Sequence, residues 1–171
     1  MRIGRLIARL LIGGLFIGHG LQKLAGWFGG AGLDGTAEGM KKMDMYPAKP
    51  QAAAAGLAET GGGALLAAGL ATPLAATILT SVMLTAIQKV HLANGPWNQN
   101  GGWEYNAVLI AAALGITDAG PGPLSLDAVL GTERKGPKWM AAAAAAGIAG
   151  SLGAIEAGKL LKPEPETTTY S

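Results

Sequence analysis

No cysteine occurs anywhere in the 171-residue sequence, which removes thiol catalysis, disulfide bonds and cysteine-ligated metal or iron–sulfur centres. Charge is also scarce. Only 14% of the residues are Asp, Glu, Lys or Arg, against about 25% in an ordinary soluble domain, and the shortage leaves long windows with none. The net charge of +2 is small, and no Lys/Arg cluster is interleaved with aromatic residues, so nucleic acid is excluded as a partner.

What the sequence does have is apolar residues, half of the total, and 28 glycines. Glycine weakens a helix in water, but in lipid it lets helix backbones approach closely. Together these features predict an integral membrane protein with the lipid bilayer as its first partner. Arg2, Arg5 and Arg9 stand ahead of an apolar stretch as in a signal peptide. His19 and Lys23 interrupt that stretch and no clear small-x-small cleavage site follows, so a retained first helix is expected.

A spanning helix needs roughly 20 mostly apolar residues. The first span is expected from about Leu6 to Ala25 and the second from about Gln51 to Leu70. Thr72-Pro73 makes a very short turn, and because proline is tolerated in the first turn of a helix, a third span is expected from about Pro73 to about His91. The fourth, Glu104 to about Ile116 or Ala119, is short and is stopped by the stretch Thr117-Asp118-Ala119-Gly120-Pro121-Gly122-Pro123. Lys138 to Leu160 is expected as a fifth, C-terminal transmembrane helix, and residues 161–171 as a disordered tail. The fold class is therefore all-α: an integral membrane four-helix bundle over residues 1–127 with an additional helix at 138–160.

Arginines ahead of the first span and Arg134, Lys135 and Lys138 before the fifth place the N-terminus in the cytoplasm of a multi-pass cell (inner) membrane protein. The loops around 26–50 and 92–103 then face outward. His19, Gln22 and Lys23 fall at the outer end of the first span, with His19 and Lys23 on one face by their spacing of four. Glu59 is expected about two turns into the second span. Gln88 and His91, three apart, share a face at the end of the third, and Asn98 and Glu104 belong to the polar run Asn94–Asn106. The sequence shows no comparable set at the cytoplasmic level.

A charge inside a membrane is costly, so Glu59 is expected to find Lys23 or His19 as a partner, either as a closed ion pair or within a polar pocket. The catalytic candidates of such a pocket are His19, Glu59 and His91, and the ligand-binding candidates are Gln22, Lys23, Gln88, Asn98 and Glu104. Two lone histidines and two carboxylates have no diagnostic metal spacing, and no metal is assigned. Gly14-Leu15-Phe16-Ile17-Gly18 has the small-xxx-small form of a helix contact. Trp27, Trp97 and Trp103 fall at the outer interface.

The runs His19-Gly20-Leu21-Gln22-Lys23-Leu24, Phe28-Gly29-Gly30, Gly32-Leu33-Asp34-Gly35-Thr36, Val90-His91-Leu92-Ala93-Asn94-Gly95 and Asn98–Tyr105, with Glu59, Gly61 and Gly62, resemble the DoxX family of small bacterial membrane proteins. The resemblance extends over about residues 5–127, including Leu124-Ser125-Leu126-Asp127. It implies a four-helix membrane unit and a link to membrane redox assemblies, since the family takes its name from similarity to a subunit of thiosulfate:quinone oxidoreductase. A quinone is the cofactor so implied, and membrane-associated redox enzymes and further copies of the chain are candidate partners. A noncatalytic scaffold recruiting partner enzymes is the alternative, with a small-solute or lipid transporter behind it.

Overall fold

The computed structural model describes residues 2–164, and every structural statement below concerns those residues. Residues 165–171, most of the expected tail, lie outside them. Five long helices form the bundle: α1 (Arg2–Ala25), α3 (Ala48–Ala68), α4 (Thr72–Ala86), α5 (Glu104–Ala119) and α7 (Pro137–Leu160). Two short ones close its ends, α2 (Gly32–Lys42) and α6 (Leu126–Leu130). α2 corrects the expectation of a loop at 26–50. It is amphipathic, burying Ala37 and Met40 while Glu38, Lys41 and Lys42 stay exposed.

Three stretches are long and apolar enough to cross a membrane: Ile3–Ala25, Thr72–Asn94 and Pro137–Leu160. In these windows at most 28% of residues are buried in the protein, so most of their side chains keep some exposure. Ile7, Leu10, Leu11, Leu74, Ile148 and Leu152 are exposed within them, and Leu57 on α3 and Val108 on α5 extend this apolar surface. Such a surface suits hydrocarbon rather than water. The protein is a helical membrane bundle. α5, with 16 residues, reaches only about 24 Å at 1.5 Å per residue and packs against α4 and α7.

α1, α4 and α7 start at one end of the bundle, and α3 and α5 return. Glycines set the closest contact. A Cβ on Gly13 would meet the Gly63 carbonyl oxygen at 2.5 Å, and one on Gly20 would meet that of Gly56 at 2.6 Å. Each pair of residue numbers sums to 76, the signature of two antiparallel helices in fixed register. Gly14 and Gly18 have nothing near them. The small-xxx-small motif is therefore not the contact. The packed glycines are seven apart, two helical turns, and backbone proximity of this kind supplies the van der Waals packing that holds helices together in lipid. Phe16, Leu66, Leu79, Met83, Leu109 and Ile116 fill the space between α1, α3, α4 and α5.

At the end where α1 starts, the structure overturns the expectation of no polar set. Arg9 is 1% exposed, not an interfacial residue. It donates to the Leu124 carbonyl and lies against Gly69, whose φ of 64° ends α3 and whose missing Cβ leaves room for the guanidinium. Asp127, also 1% exposed, accepts from the N–H of Ala71 (2.9 Å) and Thr72 (3.1 Å) and from the hydroxyls of Thr72 (2.9 Å) and Thr132 (3.0 Å). Burial pushes its carboxyl up, but these four donors outweigh that and hold it below the ordinary carboxylate range. Asp127 thereby caps the start of α4 from a distant part of the chain.

At the opposite end Lys162 pairs with Asp44 at 2.8 Å, tying the end of α7 to the α2–α3 turn.

Candidate functional site

The late turns of α1 and α4, the middle of α3 and the first turns of α5 surround a cavity of about 260 Å³. Glu59 enters it from α3. Because α3 starts at Ala48, Glu59 is three turns into the helix, at its middle, and 2% exposed. A carboxylate there needs a partner, and Lys23 supplies one at 2.6 Å. The lysine side chain keeps 30% of its exposure, so the pair is buried at the carboxylate and open at the ammonium.

Two histidines line the same cavity, each with one ring nitrogen committed. His91 Nδ1 lies 2.7 Å from the Gly101 carbonyl oxygen. A carbonyl only accepts, so Nδ1 carries the proton and Nε2 is left with a lone pair. His19 Nδ1 lies 3.0 Å from Gln22 Oε1, and Gln22 Nε2 donates to the Phe28 carbonyl at 3.4 Å. The amide oxygen therefore faces the imidazole, and His19 has the same tautomer. In the neutral form of each ring Nε2 is the proton acceptor.

Of the residues singled out in the sequence, His19, Lys23, Glu59, His91 and Asn98 line the cavity. Gln22 stands behind His19 as its brace. Glu104 stands behind Asn98, accepting its backbone N–H at 2.7 Å. Gln88 turns away and donates to Ser151 Oγ on α7 at 3.1 Å. The expected shared face of Gln88 and His91 fails because residues Ile87–His91 form a turn of π-helix, in which a spacing of three no longer returns to one side.

Tyr105 and Asn106, which the polar run does not single out as site residues, also line the cavity beside Phe16, Met83 and Leu109. Asn106 is 7% exposed and donates to Met83 Sδ at 3.3 Å. The available signal was an amide two residues inside an otherwise apolar helix. The lining is thus polar on one side and apolar on the other. Among the described residues no three His, Asp or Glu side chains stand close enough to hold a metal ion.

The DoxX family model matches residues 4–92, just over half of the chain. The chain belongs to the DoxX family. The matched DoxX segment carries α1 to α4 and with them His19, Lys23, Glu59 and His91. Asn98, Tyr105 and Asn106 complete the cavity from beyond that segment, and the Asn98–Tyr105 and Leu124–Asp127 runs also lie outside it. No curated protein and no solved structure matches the chain.

Proposed function

We propose that this DoxX protein is a membrane redox component whose cavity binds the head of a quinone or quinol. The observation that carries the reading is the convergence of Lys23, Glu59, His19 and His91 on one cavity floored by Phe16, Met83 and Leu109. A quinone head is a flat apolar ring with two oxygens. It needs an apolar slot, hydrogen bonds at its edges and groups that take or give protons when its redox state changes.

His19 and His91 have the tautomer for accepting protons from a bound quinol, at Nε2. Glu59, paired with Lys23, relays a proton when the ion pair opens, and the Lys23 ammonium offers a charge to a developing oxyanion. Asn98 and Tyr105 supply donors at the rim. The electrons exchange with a membrane-associated redox enzyme as partner. The arginine and lysine bias supports a cytoplasmic N-terminus, and with that orientation the cavity is at the outer side.

Analysis of the lipid extracted from protein purified in mild detergent tests the proposal. Quinone is expected at a molar ratio near that of the protein and reduced in Glu59→Gln and His91→Ala. Quinone no richer than in the surrounding membrane lipid contradicts it. A noncatalytic scaffold is favoured by one feature, the exposure of Trp97 (59%) in the loop between α4 and α5. That reading predicts that Trp97→Ala abolishes partner recovery while Glu59→Gln leaves it intact.

A further inference from the structure

The larger cavity lies at the other end of the bundle. About 550 Å³ opens between the first turns of α4 and α7, below the α6 segment. Its α7 wall is Trp139, Ala142, Ala143 and Ala146, one helix face whose three alanines leave the space unfilled. Pro73, Leu74 and Thr77 form the α4 wall. The cleft closes where Gly147 meets Thr80, a contact so close that a Cβ would lie 2.7 Å from the threonine methyl. From Trp139 to Ala146 it runs about 10 Å along the helix.

The chemistry is graded along that depth. The inner part is apolar. At the mouth stands Arg134, its guanidinium 4.8 Å from the Trp139 ring centroid, and among the described residues no carboxylate pairs with it. Lys138 is exposed one residue before Trp139. Asp127 also borders the cleft, but its oxygens are occupied by the four donors at the start of α4. Arginine stacked on an interfacial tryptophan presents a fork that matches a phosphate. The cleft lies at the ends of two spanning helices, where headgroup and acyl chain meet.

We propose that this cleft is a binding site for an anionic phospholipid, with one acyl chain between α4 and α7 and the phosphate on Arg134. The polarity gradient, the charge at the mouth and the open side toward lipid all fit that occupant. It is independent of the quinone reading.

Native mass spectrometry or a fluorescence competition assay on delipidated full-length protein tests it, with phosphatidylglycerol and phosphatidylcholine of identical chains and with inorganic phosphate. Wild type is expected to prefer phosphatidylglycerol. Arg134→Gln should reduce that preference roughly five- to tenfold, on the scale of about 1 kcal/mol per interfacial cation. Ala146→Leu, which fills the inner cleft, should weaken both phospholipids, with Ala142→Leu as a substitute if that variant does not fold. Lys49→Gln removes an equal charge from the opposite end and should change nothing. A preference unaltered in Arg134→Gln, or lost equally in Lys49→Gln, overturns the site in favour of general charge attraction. Binding undiminished in a folded cleft-filling variant, or inorganic phosphate bound as tightly as the lipid, also overturns it.

Discussion

The Lys23 ammonium stands 2.6 Å from Glu59 Oε2, and the two groups share their burial unequally, 30% exposure for the lysine side chain and 3% for the glutamate. Removing the lysine leaves a buried carboxylate without its cation. Removing the glutamate leaves an ammonium that already reaches water. The two single variants should therefore differ although they break the same bond.

Lys23→Met is expected to destabilise the bundle by about 2–4 kcal/mol, less than the roughly 3–5 kcal/mol for breaking a fully buried pair because the ammonium is partly exposed. Glu59→Gln should cost about 1 kcal/mol. Thermal unfolding in one detergent, followed by circular dichroism, reads the difference, and the Lys23→Met/Glu59→Gln double variant should recover part of the Lys23→Met loss. Equal effects of the single variants would mean that the carboxylate reaches water.

The glycine register gives a second expectation. Gly20→Val and Gly63→Val force α1 and α3 apart and should each cost about 1–3 kcal/mol or more, the scale of overpacking. Gly14→Val and Gly18→Val, where a Cβ meets nothing, should stay within about 0.5 kcal/mol. Sensitivity at Gly14 or Gly18 equal to that at Gly20 would contradict the antiparallel register.

Asp127 sets an acid limit. Its carboxyl titrates below the ordinary value of 3.8 in the folded protein because four donors outweigh the opposing effect of burial. Stability from this group is fully present above the unfolded value and is lost as pH falls through the lower, folded value. Wild type should lose stability in that window more steeply than Asp127→Asn, which has no such titration. At neutral pH Asp127→Asn should already be less stable by about 2 kcal/mol or more, the scale of hydrogen bonds to a charged group. Parallel pH profiles below 4 would contradict the assignment.

The sequence carried the bundle because scarce charge and apolar length are read residue by residue: the Thr72-Pro73 start of α4, the stop of α5 before Gly120 and the Lys23–Glu59 partnership were all legible. Tertiary facts were not. Arg9 reads as an interfacial arginine until Gly69 and Leu124, distant in the chain, are brought beside it. Gly14 and Gly18 satisfy the small-xxx-small motif while Gly13 and Gly20, seven apart, make the contact, since a motif in a glycine-rich helix does not say which face meets a neighbour. α-Helical spacing puts Gln88 with His91, and one turn of π-helix separates them. For the candidate site, His19, Lys23, Glu59, His91 and Asn98 were visible as polar residues at one level. Tyr105 and Asn106 were passed over because a short amphipathic start to α5 does not reveal which side faces the cavity.

Titration of a short-chain quinone into purified protein, followed by quenching of tryptophan fluorescence, tests the central claim most directly. Saturable binding is predicted for wild type and for Arg134→Gln, which leaves this end of the bundle untouched, with affinity lowered roughly tenfold or more in His91→Ala and Glu59→Gln. Absence of saturable binding, or equal affinity in all four proteins, would contradict it.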